Sequence, residues 1–361
     1  MLGPLSVGNV RKFMIAAMRQ TVVPYAPPPR WCATMIVRLL SALTLITLTN
    51  GLLSGCASHS SAPSSVPQPA LAESSFTSFD GDRFPYHKWL PKNGSSPELV
   101  VIGFHGIAGA ASDLSNLGEH LQDHLPGTAV YAADMRGQGN DPVTSRRGDI
   151  HHASDWFEDA YTFSRLVRNR HPGAKVVWCG ESMGSLIALH ATATAPGKAL
   201  PCDALILSSP ITRIHDDFPA WRKTALRWGA FLFPRFKVSL ESLAGVDEVR
   251  VIKGVVHQDQ VETNSYHVSA FTLRLLHTLG TMIETMPERA EEAELPVLLL
   301  HGGHDIFSKA RDVEAFQHRF PSRAAVDRTF YPESYHLLFY DHQREKVLGD
   351  IARWLRKIKA R

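Results

Sequence analysis

The sequence predicts an α/β fold: a mostly parallel central sheet with helices on both faces and one helical insertion. Three observations carry this. From residue 76 onward, short apolar runs alternate with stretches of helical spacing, the signature of strand–helix–strand units. Several runs, such as Leu99–Phe104 (LVVIGF), are apolar throughout, as strands covered on both faces must be. Gly180-Glu181-Ser182-Met183-Gly184 lies between an apolar run and a small-residue helix, which demands a tight strand-to-helix turn.

The elements follow in order. Phe76–Phe79 and Arg83–Leu90 flank Asp80-Gly81, a pair suited to the positive φ of a hairpin turn. The strand Leu99–Phe104 leads to a helix at Asp113–Asp123, spaced by Leu114, Leu117 and Leu121. Thr128–Ala133 is the next strand, and Ser154–Asn169 a helix with Trp156, Phe157, Tyr161, Phe163 and Val167 as candidate buried positions. Lys175–Cys179 is a strand and Met183–Ala195 a helix. Ala204–Ser208, Val297–Leu300 and Ala325–Tyr331 supply three more strands, and residues 308–319 and 344–358 the last two helices. Between Pro210 and Pro296 no buried strand is evident, although Trp221, Trp228, Phe231, Phe233 and Phe236 fall there. A structureless loop of that length is improbable on physical grounds, so residues 211–290 are predicted to form a helical insertion.

The chain before this domain reads as address and tether. Residues 1–55 hold five basic side chains and no acidic one, leaving 33 basic against 35 acidic groups in the rest. That balance makes no electrostatic footprint for nucleic acid. Leu39–Leu53 is an uncharged, mostly apolar run of 15 residues, short for a membrane span, which takes about 20, but suited to the core of a secretory signal with Arg38 as its positive flank. Translation is expected to begin at Met35, which gives that signal a normal length. Leu53-Ser54-Gly55-Cys56 resembles the lipobox of bacterial lipoproteins, which implies cleavage before Cys56 and lipid on its thiol. Ala57, where such proteins carry Asp for inner-membrane retention, implies the outer membrane, facing the periplasm. Residues 56–75 are rich in Ser, Ala and Pro and read as a disordered tether. Cys179 and Cys202 are expected to stay free, because they sit too far apart across neighbouring strands to bridge.

The chemistry gathers in three places. A serine held above the sheet between two glycines is a candidate nucleophile, and the helix N-terminus behind it favours developing negative charge. A hydroxyl needs a base and the base an orienting acid. His336, after the strand ending at Tyr331, and Asp305, after the strand ending at Leu300, come in the required order. Asp312, Asp341 and His342 are the alternatives. Phe104-His105-Gly106-Ile107 closes the first buried strand, and attack on an acyl carbonyl needs oxyanion donors. The backbone N–H groups of Ile107 and Met183 are the candidates. His301 and His304 share an H-x-x-H spacing, but two histidines without a third ligand make no zinc site. No metal or cofactor is expected.

The stretches FHGIAG (104–109), DMRGQGND (134–141), GESMGS (180–185), LLLHGGHD (298–305) and YPESYHLLF (331–339) together resemble the α/β-hydrolase superfamily. The similarity is to its monoglyceride lipase and lysophospholipase branch, grouped with serine aminopeptidase-like hydrolases, and spans about 76–358. It implies Ser182 as nucleophile, Asp305 as acid, His336 as base, Ile107 and Met183 as oxyanion donors, and a cap at about 211–290. Two positions depart from the family. Glu181 stands where His is common and should point away from the nucleophile. Ser185 stands where Gly is common and should loosen helix–strand packing. The resemblance implies a lipid-anchored serine hydrolase of acyl-lipid esters working through an acyl-enzyme. One rival is an aminopeptidase or amidase, with Asp216-Asp217 or Asp247-Glu248 to hold a free amine. Another is a non-catalytic envelope binding lipoprotein.

Overall fold

The computed structural model describes residues 67–195, 197, 200–214, 220–239, 250–252, 255–256 and 266–361. The leader, Met35, Cys56 and the tether up to residue 66 lie outside the described residues. So do Asp216-Asp217 and Asp247-Glu248.

The strands are β1 (Ala70–Leu71), β2 (Ser75–Thr77), β3 (Arg83–Trp89), β4 (Leu99–Phe104), β5 (Thr128–Ala133), β6 (Lys175–Glu181) and β7 (Ala204–Ser208). Four short ones follow, β8 (Lys237–Val238), β9 (Arg250–Ile252), β10 (Val255–Val256) and β11 (Phe271–Thr272), then β12 (Val297–Gly302) and β13 (Val326–Tyr331). The helices are α1 (Ser115–His124), α2 (Ala153–Arg170), α3 (Met183–Ala193), α4 (Ala220–Leu232), α5 (Leu273–Glu292), α6 (Ala310–Gln317) and α7 (Arg344–Ala360).

Nine strands form one sheet in the order β1-β2-β3-β5-β4-β6-β7-β12-β13. From β5 to β13 all neighbours are parallel, while β1, β2 and β3 add an antiparallel edge. The predicted hairpin is β2–β3, with Phe76 opposite Phe84 and Gly81 at φ 90° in the turn.

Period-two alternation builds two cores. Val100, Ile102 and Phe104 of β4, with Val176 and Trp178 of β6, face α2, α3 and α5. Leu99 and Val101, with Val177 and Cys179, face α1 and α7. Every residue of β4, β5, β7 and β12 is buried, which is why these strands are apolar on both faces. Cys179 and Cys202 are buried free thiols.

Three expectations are corrected. The tether does not reach residue 75, because Ala70 and Leu71 pair with Thr77 and Phe76 and the Tyr86 hydroxyl donates to Ala72 O at 2.6 Å. A two-residue edge strand carries no periodicity to read. β6 runs two residues past Cys179, since Gly180 and Glu181 pair with Leu207 and Ser208. The insertion is not wholly helical, and part of it is not cap. It contains β8 paired to β11 and β9 paired to β10. Its long helix α5 buries Leu275, Leu279, Met282 and Met286 in the core shared with α3, and Thr285 Oγ1 meets His190 Nε2 at 3.0 Å. α5 thus belongs to the layer that covers the sheet.

Candidate active site

β6 carries Ser182 to the carboxyl end of the sheet, where its N–H donates to Ser208 O at 2.9 Å. The chain reverses there with Ser182 at φ 53°, ψ −115°, a conformation that stores about 1–3 kcal/mol. The flanking glycines make the reversal possible. A Cβ at Gly184 would lie 2.0 Å from Phe104 O, and one at Gly180 2.3 Å from Gly184 O. Gly184→Ala must therefore push β4 and α3 apart. We expect it to lose about 1–3 kcal/mol of stability and about a hundredfold in rate through misplacement of Ser182, checked by thermal melting and ester turnover. Ser182 Oγ makes no capping bond to α3. Packing at Ser185 is not loosened as expected, because its hydroxyl bonds Gly180 O at 2.7 Å and Ser208 O at 3.0 Å.

Ser182 Oγ lies 2.8 Å from His336 Nε2, and His336 Nδ1 lies 2.8 Å from Asp305 Oδ2. With Nδ1 facing a carboxylate, the imidazole donates there and accepts the serine proton at Nε2. All three side chains are buried, in a low-dielectric setting that strengthens the alignment. Asp305 Oδ1 accepts the N–H groups of Phe307 at 2.8 Å and Ser308 at 3.2 Å, which fixes its rotamer. The Phe307 ring sits edge-on to the imidazole with centroids 4.7 Å apart.

Several positioning residues escaped sequence reasoning. Ser209, at φ 46° just after β7, donates its hydroxyl to His336 O at 2.6 Å. Asp341 accepts the Tyr335 N–H at 2.6 Å and binds His342 Nδ1 at 2.6 Å. Both rivals, Asp341 and His342, are thus spent on each other and on the loop. A Cβ at Gly302 would fall 2.4 Å from Ser334 O, and one at Gly303 2.2 Å from Pro332 O. This pair lets the Asp305 and His336 loops touch.

The loop after β4 is shaped by the segment DMRGQGND. His105 Nε2 accepts the Met135 N–H at 3.1 Å, so its Nδ1 donates to Gly106 O at 2.8 Å. Gln138 Oε1 accepts the Ala108 N–H at 3.0 Å, with Ala108 at φ 63°, and Asp134 Oδ1 accepts the Ala111 N–H at 3.1 Å. Gly106 is drawn in so closely that a Cβ there would stand 3.5 Å from Ser182 Cβ. Ile107 follows it directly. Among the backbone hydrogen bonds of the described residues, neither the Ile107 nor the Met183 N–H is given to a protein acceptor.

Other candidates fall elsewhere. Asp312 lies near Arg213 and Arg311. His301 is buried against Arg328 and Phe330, and burial lowers its pKa to about 4. His304 is exposed beside Tyr335 and Glu333. The two histidines thus serve different surroundings. Among the described residues no cluster of His, Cys, Asp and Glu could hold a metal ion.

A serine on a strand-to-helix turn, an acid and a histidine on the loops after two later parallel strands, and a loop folded over the serine define an α/β-hydrolase. Residues 95–343 match the family model described as serine aminopeptidase, S33, and the chain belongs to that family. It is 28% identical to a monoacylglycerol lipase of Mycolicibacterium smegmatis over 286 residues, 79% of this chain and 96% of the relative. It is 23% identical to a monoglyceride lipase of Saccharomyces cerevisiae over 308 residues, 80% of this chain and 95% of that one. A solved soluble variant of the yeast monoglyceride lipase with a substrate analogue superposes with a TM-score of 0.66 at 20% identity, covering 82% of this chain and 98% of the other. A thermostable carboxyl esterase of Bacillus coagulans with glycerol gives 0.65 at 20% identity, covering 81% and 98%.

Proposed function

We propose that this protein hydrolyses single-chain acyl esters, monoacylglycerols or lysophospholipids, at a membrane surface through an acyl-enzyme on Ser182. The observation that carries this reading is the continuous line from Ser182 Oγ through His336 to Asp305, with 2.8 Å at each step. His336 Nε2 takes the serine proton as Oγ attacks the ester carbonyl. The Ile107 and Met183 N–H groups receive the oxyanion, and Asp305 stabilises the imidazolium. His336 returns the proton to the departing alcohol, then activates the water that frees the fatty acid. That the enzyme is a serine carboxylic-ester hydrolase accords with both curated relatives, and the acyl-glycerol preference is supported by their names.

Attachment through lipid on Cys56, on the outer membrane facing the periplasm, completes the proposal. Trp221, Trp228, Phe231 and Phe233, on α4 and the turn after it, are each more than half exposed, interleaved with Arg222, Lys223 and Arg227. An apolar face rimmed by cations suits the boundary of a lipid layer. Among the described residues no helix is long and apolar enough to cross a membrane.

A panel of acyl esters of graded chain length, monoacylglycerols, lysophospholipids and proline p-nitroanilides tests the substrate class, with Ser182→Ala alongside. Turnover of acyl-glycerol or lysolipid that is lost in the variant is expected. Cleavage of the anilides alone would point to the peptidase reading. Failure of wild type to take a fluorophosphonate label would point to a binding protein. Cys56→Ser is expected to move the protein from the membrane to the soluble fraction on fractionation.

A further inference from the structure

Glu181 precedes the nucleophile, and nothing in the reaction above uses it. Its side chain is 1% exposed, and among the described residues its Oε1 has no hydrogen-bond partner. The backbone N–H of Phe339, three residues past His336, faces the carboxyl. Phe339 O in turn accepts from Asn116 Nδ2 at 2.9 Å, and the Tyr340 hydroxyl donates to Ser112 O at 3.1 Å. Glu181 therefore stands where the nucleophile turn, the histidine loop and the segment carrying Asp113 converge.

We propose that Glu181 is a positioning residue that joins the nucleophile turn to the His336 loop, and that loss of its proton to water unseats both loops and switches hydrolysis off in alkali. Among the described residues the titratable groups that face it are Asp113 from the turn before α1, Tyr340 from the histidine loop and Cys179 from its own strand. None of them is a cation to offset a buried carboxylate. Burial, with Asp113 adding to it, pushes the carboxyl from its ordinary 4.5 up to about 8. An acid raised on folding holds its proton in the native state while the unfolded chain has lost it. Its stability contribution is therefore intact below the ordinary value and drains away as pH climbs toward about 8.

The proposal rests on the serine-esterase reading, so its test has a readout besides turnover. The kcat/KM of wild type, Glu181→Gln and Asp113→Asn on a soluble short-chain ester is followed against pH, each normalised to its own maximum. Melting temperatures are taken at about pH 6 and about pH 9, either side of the ionisation. Wild type should fall about tenfold per pH unit above the ionisation, the slope of one proton, and melt lower at the higher pH. Glu181→Gln should lose that limb and most of that melting difference. Asp113→Asn removes a neighbouring negative charge and should slide the limb toward lower pH. A limb and a melting difference shared by wild type and Glu181→Gln overturn the proposal. Should Glu181→Gln fail to fold, an unmoved limb in Asp113→Asn overturns it instead. Absence of ester turnover at every pH counts against the esterase reading, and the melting comparison then decides the role of Glu181.

Discussion

Ser182→Ala is expected to lower kcat by about 10^6-fold while the protein keeps its fold. The hydroxyl stands 2.8 Å from the His336 imidazole that takes its proton, and its removal takes away the attacking group. The Ile107 and Met183 N–H groups and the binding surface stay in place, so a residue of catalysis about 10^3–10^4-fold over water should survive. Asp305→Asn is expected to cost about 10^4-fold, because an amide at 2.8 Å from His336 Nδ1 favours the tautomer with its proton on Nε2, where the serine must deliver its own. Stability separates the two possible replacements of the serine. Ser182→Ala keeps a Cβ at φ 53° and so keeps the backbone strain. Ser182→Gly releases it and should raise the melting temperature by about 2–4 °C. A glycine variant no more stable than alanine would mean that the turn holds no strain. Ester turnover per mole of folded protein reads the rates, and differential scanning calorimetry reads the stabilities.

The fold was legible wherever burial acts on both faces of a strand, since β4, β5, β7 and β12 could not be other than apolar runs. Ser182 was legible because only a turn that excludes Cβ atoms needs glycine at both 180 and 184. Asp305 and His336 were legible by order, each closing a strand at the same edge. What could not be read depends on contacts between distant segments. Ser209 looks like any serine after a strand until its hydroxyl is seen on His336 O, 127 residues away. The segment DMRGQGND could be recognised by resemblance but not explained, because Asp134, Met135 and Gln138 act on backbone groups of the loop after β4, which lies 23 to 30 residues earlier. α5 had the right spacing in Leu275, Leu279, Met282 and Met286, yet amphipathicity gives a buried face without saying which surface buries it. The departure at Glu181 was visible, and its meaning was not, since burial and the approach of Asp113 and Phe339 are tertiary facts.

The same segment carries the largest expected effect on stability. Arg136 is 5% exposed and grips both oxygens of Asp159 at 2.8 Å through Nε and Nη2. Its Nη1 reaches Asp80 at 2.8 Å and Asp82 at 2.9 Å, and its guanidinium lies 5.0 Å from the centre of the Phe84 ring. Burial pushes the Asp159 carboxyl up, and Arg136 is the principal group drawing it down. Arg136→Met keeps an unbranched aliphatic side chain in place and removes the charge, leaving a carboxylate inside the protein without its cation. We expect a loss of about 3–5 kcal/mol, or a drop of about 6–20 °C in melting temperature. The sign of its pH dependence follows. Without Arg136 the folded pKa of Asp159 rises further above its ordinary 3.8, so the variant should fall furthest behind wild type at neutral and alkaline pH and least near about pH 4. Adding Asp159→Asn should recover most of the loss, and the double-mutant cycle then gives the coupling between the two. Rate should suffer as well, since Arg136 follows Met135, whose N–H holds His105 under the loop after β4 at 3.1 Å. A variant that loses less than about 1 kcal/mol, equally at neutral pH and near about pH 4, would place the stabilisation in the buried aliphatic stem rather than in the charge.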